Sequence, residues 1–150
     1  MSSAGRPLIS VVVPFYNNAG LLSDCLDSIA AQRFDNANPA DLEVIMVDDG
    51  STDGSAQIAS ARAAAHSRFT LLTLDNGGPG RARNQGVAAA TGEYLAFVDA
   101  DDVLPPDAYA TMLRVLERSG SDFVTGGVLR LTADGLGPSG LHDKIGRAHV

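Results

Sequence analysis

The run Leu8 to Val13, LISVVV, is apolar and β-branched almost throughout. A strand with one wet face alternates apolar with polar residues, so an unbroken run of this length marks a strand buried on both faces, as in a parallel sheet. Pro14 is expected to stop it. Similar runs return at Leu42 to Val47, Phe69 to Leu74 and Tyr94 to Val98, and Asp122 to Leu131 reads as a fifth strand. The segments between them carry helical spacing. Leu21, Leu22, Cys25, Leu26 and Ile29 share one face, with Asn17 or Asn18 available as a cap. An alanine-rich helix runs to about His66 and can be capped by Thr52 or Asp53, and a third helix carries Arg81, Arg83 and Asn84. Pro105-Pro106-Asp107 opens a fourth, with Tyr109, Met112, Leu113 and Leu116 on one face. Strand and helix in steady alternation require crossover connections. The expected fold is therefore α/β: an open, mostly parallel sheet with helices on both faces.

In such sheets ligands bind beyond the carboxyl ends of the strands, near the point where strand order reverses. Four polar loops fall there: Pro14 to Asn17, Asp48 to Asp53, Asn76 to Arg83 and Asp99 to Asp102. Composition narrows what they can hold. A net charge of −7 and a pI near 4.7 argue against sequence-independent nucleic-acid binding, which needs clustered Lys and Arg. An acidic chain that binds an anion needs local help from a cation, a few arginines or helix N-termini. The single Cys25 excludes an internal disulfide and a cysteine zinc cluster, and its place on an apolar helix face reads as packing. No apolar run approaches the roughly 20 residues of a membrane span, and Leu8 to Val13 is too short for a signal peptide.

The loops differ in chemistry. At least one of Asp48 and Asp49 is expected to project into the crevice. A carboxylate there accepts N–H groups, which suits the imide of uracil or thymine, or the N1–H and amino group of guanine, better than adenine. Asx-turn and capping roles compete for the same residues, above all for Asp53. Gly77, Gly78 and Gly80 let backbone approach a ligand closely, beside Arg81 and Arg83. The loop is not a dinucleotide fingerprint, because Arg83 stands where the third glycine belongs, and no Gly-Lys-Ser/Thr of a P-loop follows. In GEYLAFVDADD, strand alternation would put Asp99 and Asp101 on one side and Asp102 on the other, with small Ala100 leaving room for an approaching group. Paired carboxylates repel unless a proton or cation intervenes, and Mg²⁺ or Mn²⁺ prefers such oxygens. His66, His142 and His149 lack ligand-like spacing and are assigned to the surface or to helix ends.

Four motifs taken in order carry a resemblance: VVVPFYN at Val11 to Asn17, VDDGSTDGS at Val47 to Ser55, GGPGRARNQG at Gly77 to Gly86 and FVDADD at Phe97 to Asp102. Together they resemble glycosyltransferase family 2, enzymes of the GT-A, Rossmann-like fold that use nucleotide-sugar donors. The match covers about residues 8 to 131, with 1 to 7 an N-terminal tail and 132 to 150 an irregular one. The resemblance implies a donor site of Pro14, Phe15, Tyr16, Asn17, Asp48, Asp49, Gly50, Ser51, Gly78, Arg83, Asp99 and Ala100. It implies Mg²⁺ or Mn²⁺ on Asp99 and Asp101, joined by Asp102. The implied reaction is inverting attack by a glycan, lipid or protein hydroxyl on a UDP-, GDP- or dTDP-sugar. The charge leaves no nucleic-acid partner expected, and the expected location is cytoplasmic, with room for membrane association of a full-length protein.

The catalytic base of such enzymes lies in the second half of the domain, for which these residues offer no candidate, so it is expected beyond residue 150 in a C-terminally truncated chain. Lys144 to Val150, KIGRAHV, is the translation of AAG ATC GGA AGA GCA CAC GTC, a common sequencing adapter. The native sequence is accordingly expected to end near Asp143, which a locus encoding KIGRAHV would refute. Two rival functions share some features. An aspartyl-phosphate hydrolase also places D-x-D after a buried strand, but after the first strand and with a Thr or Ser soon following. A nucleotide-binding module without chemistry would need only the donor half.

Overall fold

The computed structural model describes residues 6–35, 42–127, 129–132 and 135–138. It divides into two units, Met1–Asp107 and Ala108–Val150. In the first unit β1 (Ile9–Phe15), β2 (Leu42–Asp48), β3 (Phe69–Thr73) and β4 (Tyr94–Phe97) form one parallel sheet in the order β3-β2-β1-β4. Between them run α1 (Leu22–Ala30), α2 (Ser55–Ala65) and α3 (Pro79–Ala89). The chain moves outward from β1 to β3, then returns across β1 to β4. Right-handed crossovers therefore put α1 and α2 on one face and α3 on the other, and strand order reverses between β1 and β4.

Burial follows from this double cover. Every residue of β1 is buried, and β2 is buried except for Glu43. Val12, Ile45 and Val47 pack with Ala82 of α3, so α3 covers the sheet face carrying these three residues. Leu22, Cys25, Leu26 and Ile29 form the buried face of α1. α3 can lie close to β1 because Gly86 has no side chain: a Cβ there would stand 2.3 Å from Cγ1 of Val12.

Pro14 does not end β1. It lies within the strand, in register with Val47, and Phe15 pairs with Asp48. Residues of a parallel strand bond alternately to their two neighbours. The Val12 carbonyl accepts from Val98 beyond β4 and the Phe15 carbonyl from Asp49 beyond β2, so Pro14 faces the β4 side. β4 has ended at Phe97, and the missing N–H of Pro14 costs no ladder bond.

At the opposite end of the sheet the Ser10 hydroxyl donates to the Glu43 carboxylate, and the Thr91 amide (2.6 Å) and hydroxyl (3.0 Å) donate to the same oxygen. Burial pushes the Glu43 carboxyl up, but these donors outweigh it and hold it below its ordinary value. Gly92 closes the corner: its amide donates to Ser10 Oγ at 2.7 Å, and a Cβ would stand 2.6 Å from the Ser10 amide nitrogen.

The second unit holds α4 (Ala108–Ser119) and a two-stranded antiparallel sheet of β5 (Leu129–Thr132) and β6 (Gly135–Pro138). The expected fifth strand over Asp122 to Leu131 is thus corrected. Residues 122–127 are not strand, and β5 pairs in a hairpin rather than in the parallel sheet. Gly126-Gly127 interrupts the apolar run, and Gly135, at φ +114°, adopts backbone that other residues avoid. The Asp143 boundary, the KIGRAHV stretch, His142 and His149 lie outside the described residues.

Gly86→Ala sets a helix-propensity gain of about 1 kcal/mol against an overpacking penalty of about 1–3 kcal/mol. Urea denaturation is expected to show a net loss. A double variant with Val12→Ala, which vacates the collision, is expected to lose less than the sum of the two single changes.

Candidate functional site

The loops leaving β1 and β2 are stitched together. Asn17 takes φ +52°, which asparagine tolerates better than most residues. Its amide then donates to Ser51 Oγ at 3.0 Å, and its Oδ1 accepts from the amides of Thr52 (2.8 Å) and Asp53 (3.3 Å). The Asn18 amide donates to Ser55 Oγ (2.8 Å) and the Ala19 amide to Asp53 Oδ2 (3.1 Å). Neither Asn17 nor Asn18 caps α1 through its side chain; the Asn18 carbonyl accepts from Leu21 and Leu22 instead. Gly54 holds the cap position of α2, while Asp53 accepts from Ser55, the first helical residue, at 2.9 Å. The Ser55 hydroxyl and amide hold the Asp53 carboxyl below its ordinary value.

Asp48 and Asp49 divide the work expected of them. Asp48 is buried and its carboxylate accepts from the Ser51 amide at 2.8 Å, a turn role. Asp49 faces the crevice, and its two carboxylate oxygens accept from the amides of Gly77 and Gly78, each at 2.8 Å. A carboxylate oxygen has a second lone pair, so this grip leaves Asp49 able to accept from a ligand. Gly50, at φ +84°, lets the turn pass close to the third loop, since a Cβ there would stand 3.0 Å from the Asn76 nitrogen. Gly78, at φ +92°, leads into Pro79 at the start of α3.

Arg83, one turn into α3, reaches the fourth loop, where Nη2 meets Asp99 Oδ1 at 3.0 Å. Arg81 turns away to the Asp75 carbonyl. The strand has ended before the acidic residues, and the Asp102 amide donates to the Asp99 carbonyl at 3.0 Å, closing a turn. That turn overrides strand alternation and corrects the expectation that Asp102 points away: carboxylate oxygens of Asp99, Asp101 and Asp102 lie within 4.8 Å of one another, all three exposed. Partial burial, then Asp101 and Asp99, push the Asp102 carboxyl up. Burial, then Asp102, Asp101 and Asp99, push the Cys25 thiol beneath the turn up to about 12. One guanidinium faces three carboxylates, leaving two negative charges to be compensated, which suits a divalent cation; oxygen-only donors suit Mg²⁺ or Mn²⁺.

These loops enclose a cavity of about 450 Å³, a size typical of small-molecule sites. Of the expected site residues, Pro14, Phe15, Tyr16, Asp49, Gly78, Arg83, Asp99, Ala100 and Asp101 line it, whereas Asn17, Asp48, Gly50 and Ser51 shape the loops behind. Asn18, Asn76, Pro79 and Ala82 complete the lining. Asn76 opens the third polar loop and Asn18 was expected only as a helix cap; neither was assigned to the donor site.

The Rossmann-like sheet, with a crevice at its switch point and an acidic turn on the rim, matches glycosyltransferase structures of the GT-A type. Residues 10–137 match the model of glycosyl transferase family 2, and the chain belongs to that family. It is 38% identical to glycosyltransferase GlyG of Streptococcus pneumoniae over 79% of this chain and 38% of that protein. The mannosyltransferase PcManGT of Pyrobaculum calidifontis, solved with GDP-Man and Mn²⁺, superposes with a TM-score of 0.66 at 34% identity, over 75% of this chain and 33% of that one. Residues 1-349 of Staphylococcus aureus TarS, solved with UDP-GlcNAc, give 0.64 at 32% identity, over 77% and 32%. The chain thus spans about a third of the length of these relatives. Among the described residues no helix is long and apolar enough to cross a membrane.

Asp49→Asn would turn an amide nitrogen toward one of the two glycine N–H groups, at a cost of about 1–3 kcal/mol. Amide exchange at Gly77 or Gly78 is expected to quicken and the melting temperature to fall. Unchanged exchange at both would show that the grip is dispensable.

Proposed function

We propose that this chain is the donor-binding part of a glycosyltransferase that moves a sugar from a nucleoside diphosphate to an acceptor hydroxyl with inversion. The observation that carries the reading is the two-ended crevice, with the Asp49 carboxylate on one wall and the Asp99–Asp102 turn on the other. Asp49 accepts from the base, favouring uracil, thymine or guanine, while Pro14, Phe15 and Tyr16 flank base and ribose. Gly78 lets the loop close on the ligand, and Arg83 offers a cation near the nucleotide. Asp99 and Asp101, joined by Asp102, hold Mg²⁺ or Mn²⁺, which when bound neutralises charge growing on the departing diphosphate. The complexes of the two structural relatives with GDP-Man and UDP-GlcNAc, and the Mn²⁺ of the first, support this assignment.

The acceptor, whether glycan, lipid or protein, and the base that deprotonates it belong to residues beyond these. Names among the relatives, such as the poly(ribitol-phosphate) beta-glucosyltransferase of Bacillus spizizenii, support a part in cell-wall or polysaccharide biosynthesis. The 150-residue chain alone is expected to bind donor with little or no transfer.

Calorimetry with UDP, GDP and ADP, each with and without Mn²⁺, tests the reading. Binding of UDP or GDP that requires Mn²⁺ and is weakened at least tenfold by Asp101→Ala is the expected result. Metal-independent binding, or binding indifferent to that change, contradicts it.

A further inference from the structure

The acidic turn is followed by backbone without regular structure: residues 102–105 lie in neither helix nor strand. A leg of this kind, carrying three mutually repelling carboxylates at its start, has no ladder to hold it in place. Four backbone polar groups between Asp99 and Pro106 nevertheless bond to α1 and the residues just after it. The Cys25 thiol donates to the Asp99 carbonyl at 3.5 Å. Ser28 Oγ accepts from the Leu104 amide at 3.1 Å while donating to the Cys25 carbonyl at 2.7 Å. Gln32 Nε2 donates to the Pro105 carbonyl at 2.7 Å and to the Ser28 carbonyl at 3.2 Å. The Arg33 amide donates to the Pro106 carbonyl at 2.8 Å.

Cys25, Ser28 and Gln32 are spaced three and four residues apart, so they form one stripe along α1 and the turn just after it. We propose that this stripe is the positioning element of the acidic turn: it fixes the backbone from Asp99 to Pro106, so that Asp99, Asp101 and Asp102 present a preformed oxygen cluster. The inference rests on the donor-site reading for what the cluster binds, but the fixing of the leg stands on the hydrogen bonds alone. Buried polar contacts behind metal ligands set ligand orientation and typically change metal affinity by about 10–100-fold. Outside the stripe, Asp27 faces away and pairs with Arg62 of α2.

Two variants cut the stripe without changing a carboxylate. Ser28→Ala removes the acceptor of the Leu104 amide, and Gln32→Met removes the donor to the Pro105 carbonyl at similar length. Ser28→Thr keeps the hydroxyl, and Asp27→Ala removes a contact of α1 outside the stripe. Each is studied in the full 150-residue chain, well below its melting midpoint, by hydrogen exchange without metal and by Mn²⁺ titration followed by electron paramagnetic resonance. Ser28→Ala and Gln32→Met are expected to quicken exchange over residues 99–104 and to weaken Mn²⁺ binding roughly tenfold. Ser28→Thr and Asp27→Ala are expected to retain both. Either of the first two suffices if the other does not fold. Exchange that stays slow in both overturns the proposal, as does an equal loss in Asp27→Ala, which would reveal only lowered stability. A parent chain that binds no Mn²⁺ would instead defeat the metal reading, and exchange alone would then decide the role of the stripe.

Discussion

The grip of Asp49 on the amides of Gly77 and Gly78 is the joint on which the rim of this sheet depends. It is charge-assisted and two-pronged, and it ties the end of β2 to the start of α3. With that start fixed, Arg83 one turn later meets Asp99 across the switch point. The Asp99 carbonyl in turn rests on Cys25 of α1, and α1 begins just after the loop that Asn17 and Asn18 fasten to Ser51 and Ser55. The contacts form a closed ring around the crevice, in which each loop is held by another loop or by a helix from a different crossover. Loops left to themselves would be the least ordered parts of an α/β domain.

Two ends of the same strands serve different needs. At the lower end, Glu43, Ser10, Thr91 and Gly92 bond to one another, and a Cβ on Gly92 would strike the Ser10 backbone. At the upper end, the same β1 and β4 separate, because β4 stops at Phe97 while β1 continues through Pro14 to Phe15. The crevice is the consequence of that difference in length. Pro14 is tolerated in the strand, and lines the cavity, for the same reason: no neighbour remains on the side where its N–H would be needed.

Much of this was legible in the amino-acid sequence. Largely apolar runs located β1 to β4, and their alternation with helices implied the parallel sheet. What eluded sequence reasoning was decided by contacts between distant residues. The role of Asn17 depends on Thr52 and Asp53, some 35 positions away, which meet it only once β1 and β2 are adjacent. Strand alternation misplaced Asp102 because a turn, closed by its amide on the Asp99 carbonyl, begins as soon as the apolar run ends, so extended backbone does not continue through the acidic residues. In the apolar run after Asp122, residues 122–127 are not strand, and two adjacent glycines divide it. The stripe of Cys25, Ser28 and Gln32 was half visible: the helical face was apparent, but nothing in the spacing showed that it met the leg after the acidic turn.

The central claim is that the acidic turn and the Asp49 loop serve one ligand. Mn²⁺ added with UDP to the isotope-labelled chain offers a direct reading, because the ion broadens nearby amide signals according to distance. The account predicts the strongest broadening at Ala100 to Asp102, extending to Gly78 and Arg83, while Thr91 and Gly92 at the far end of the sheet stay sharp. Broadening centred on other carboxylates, or confined to the turn with UDP leaving the Gly77–Gly78 signals unmoved, would contradict it.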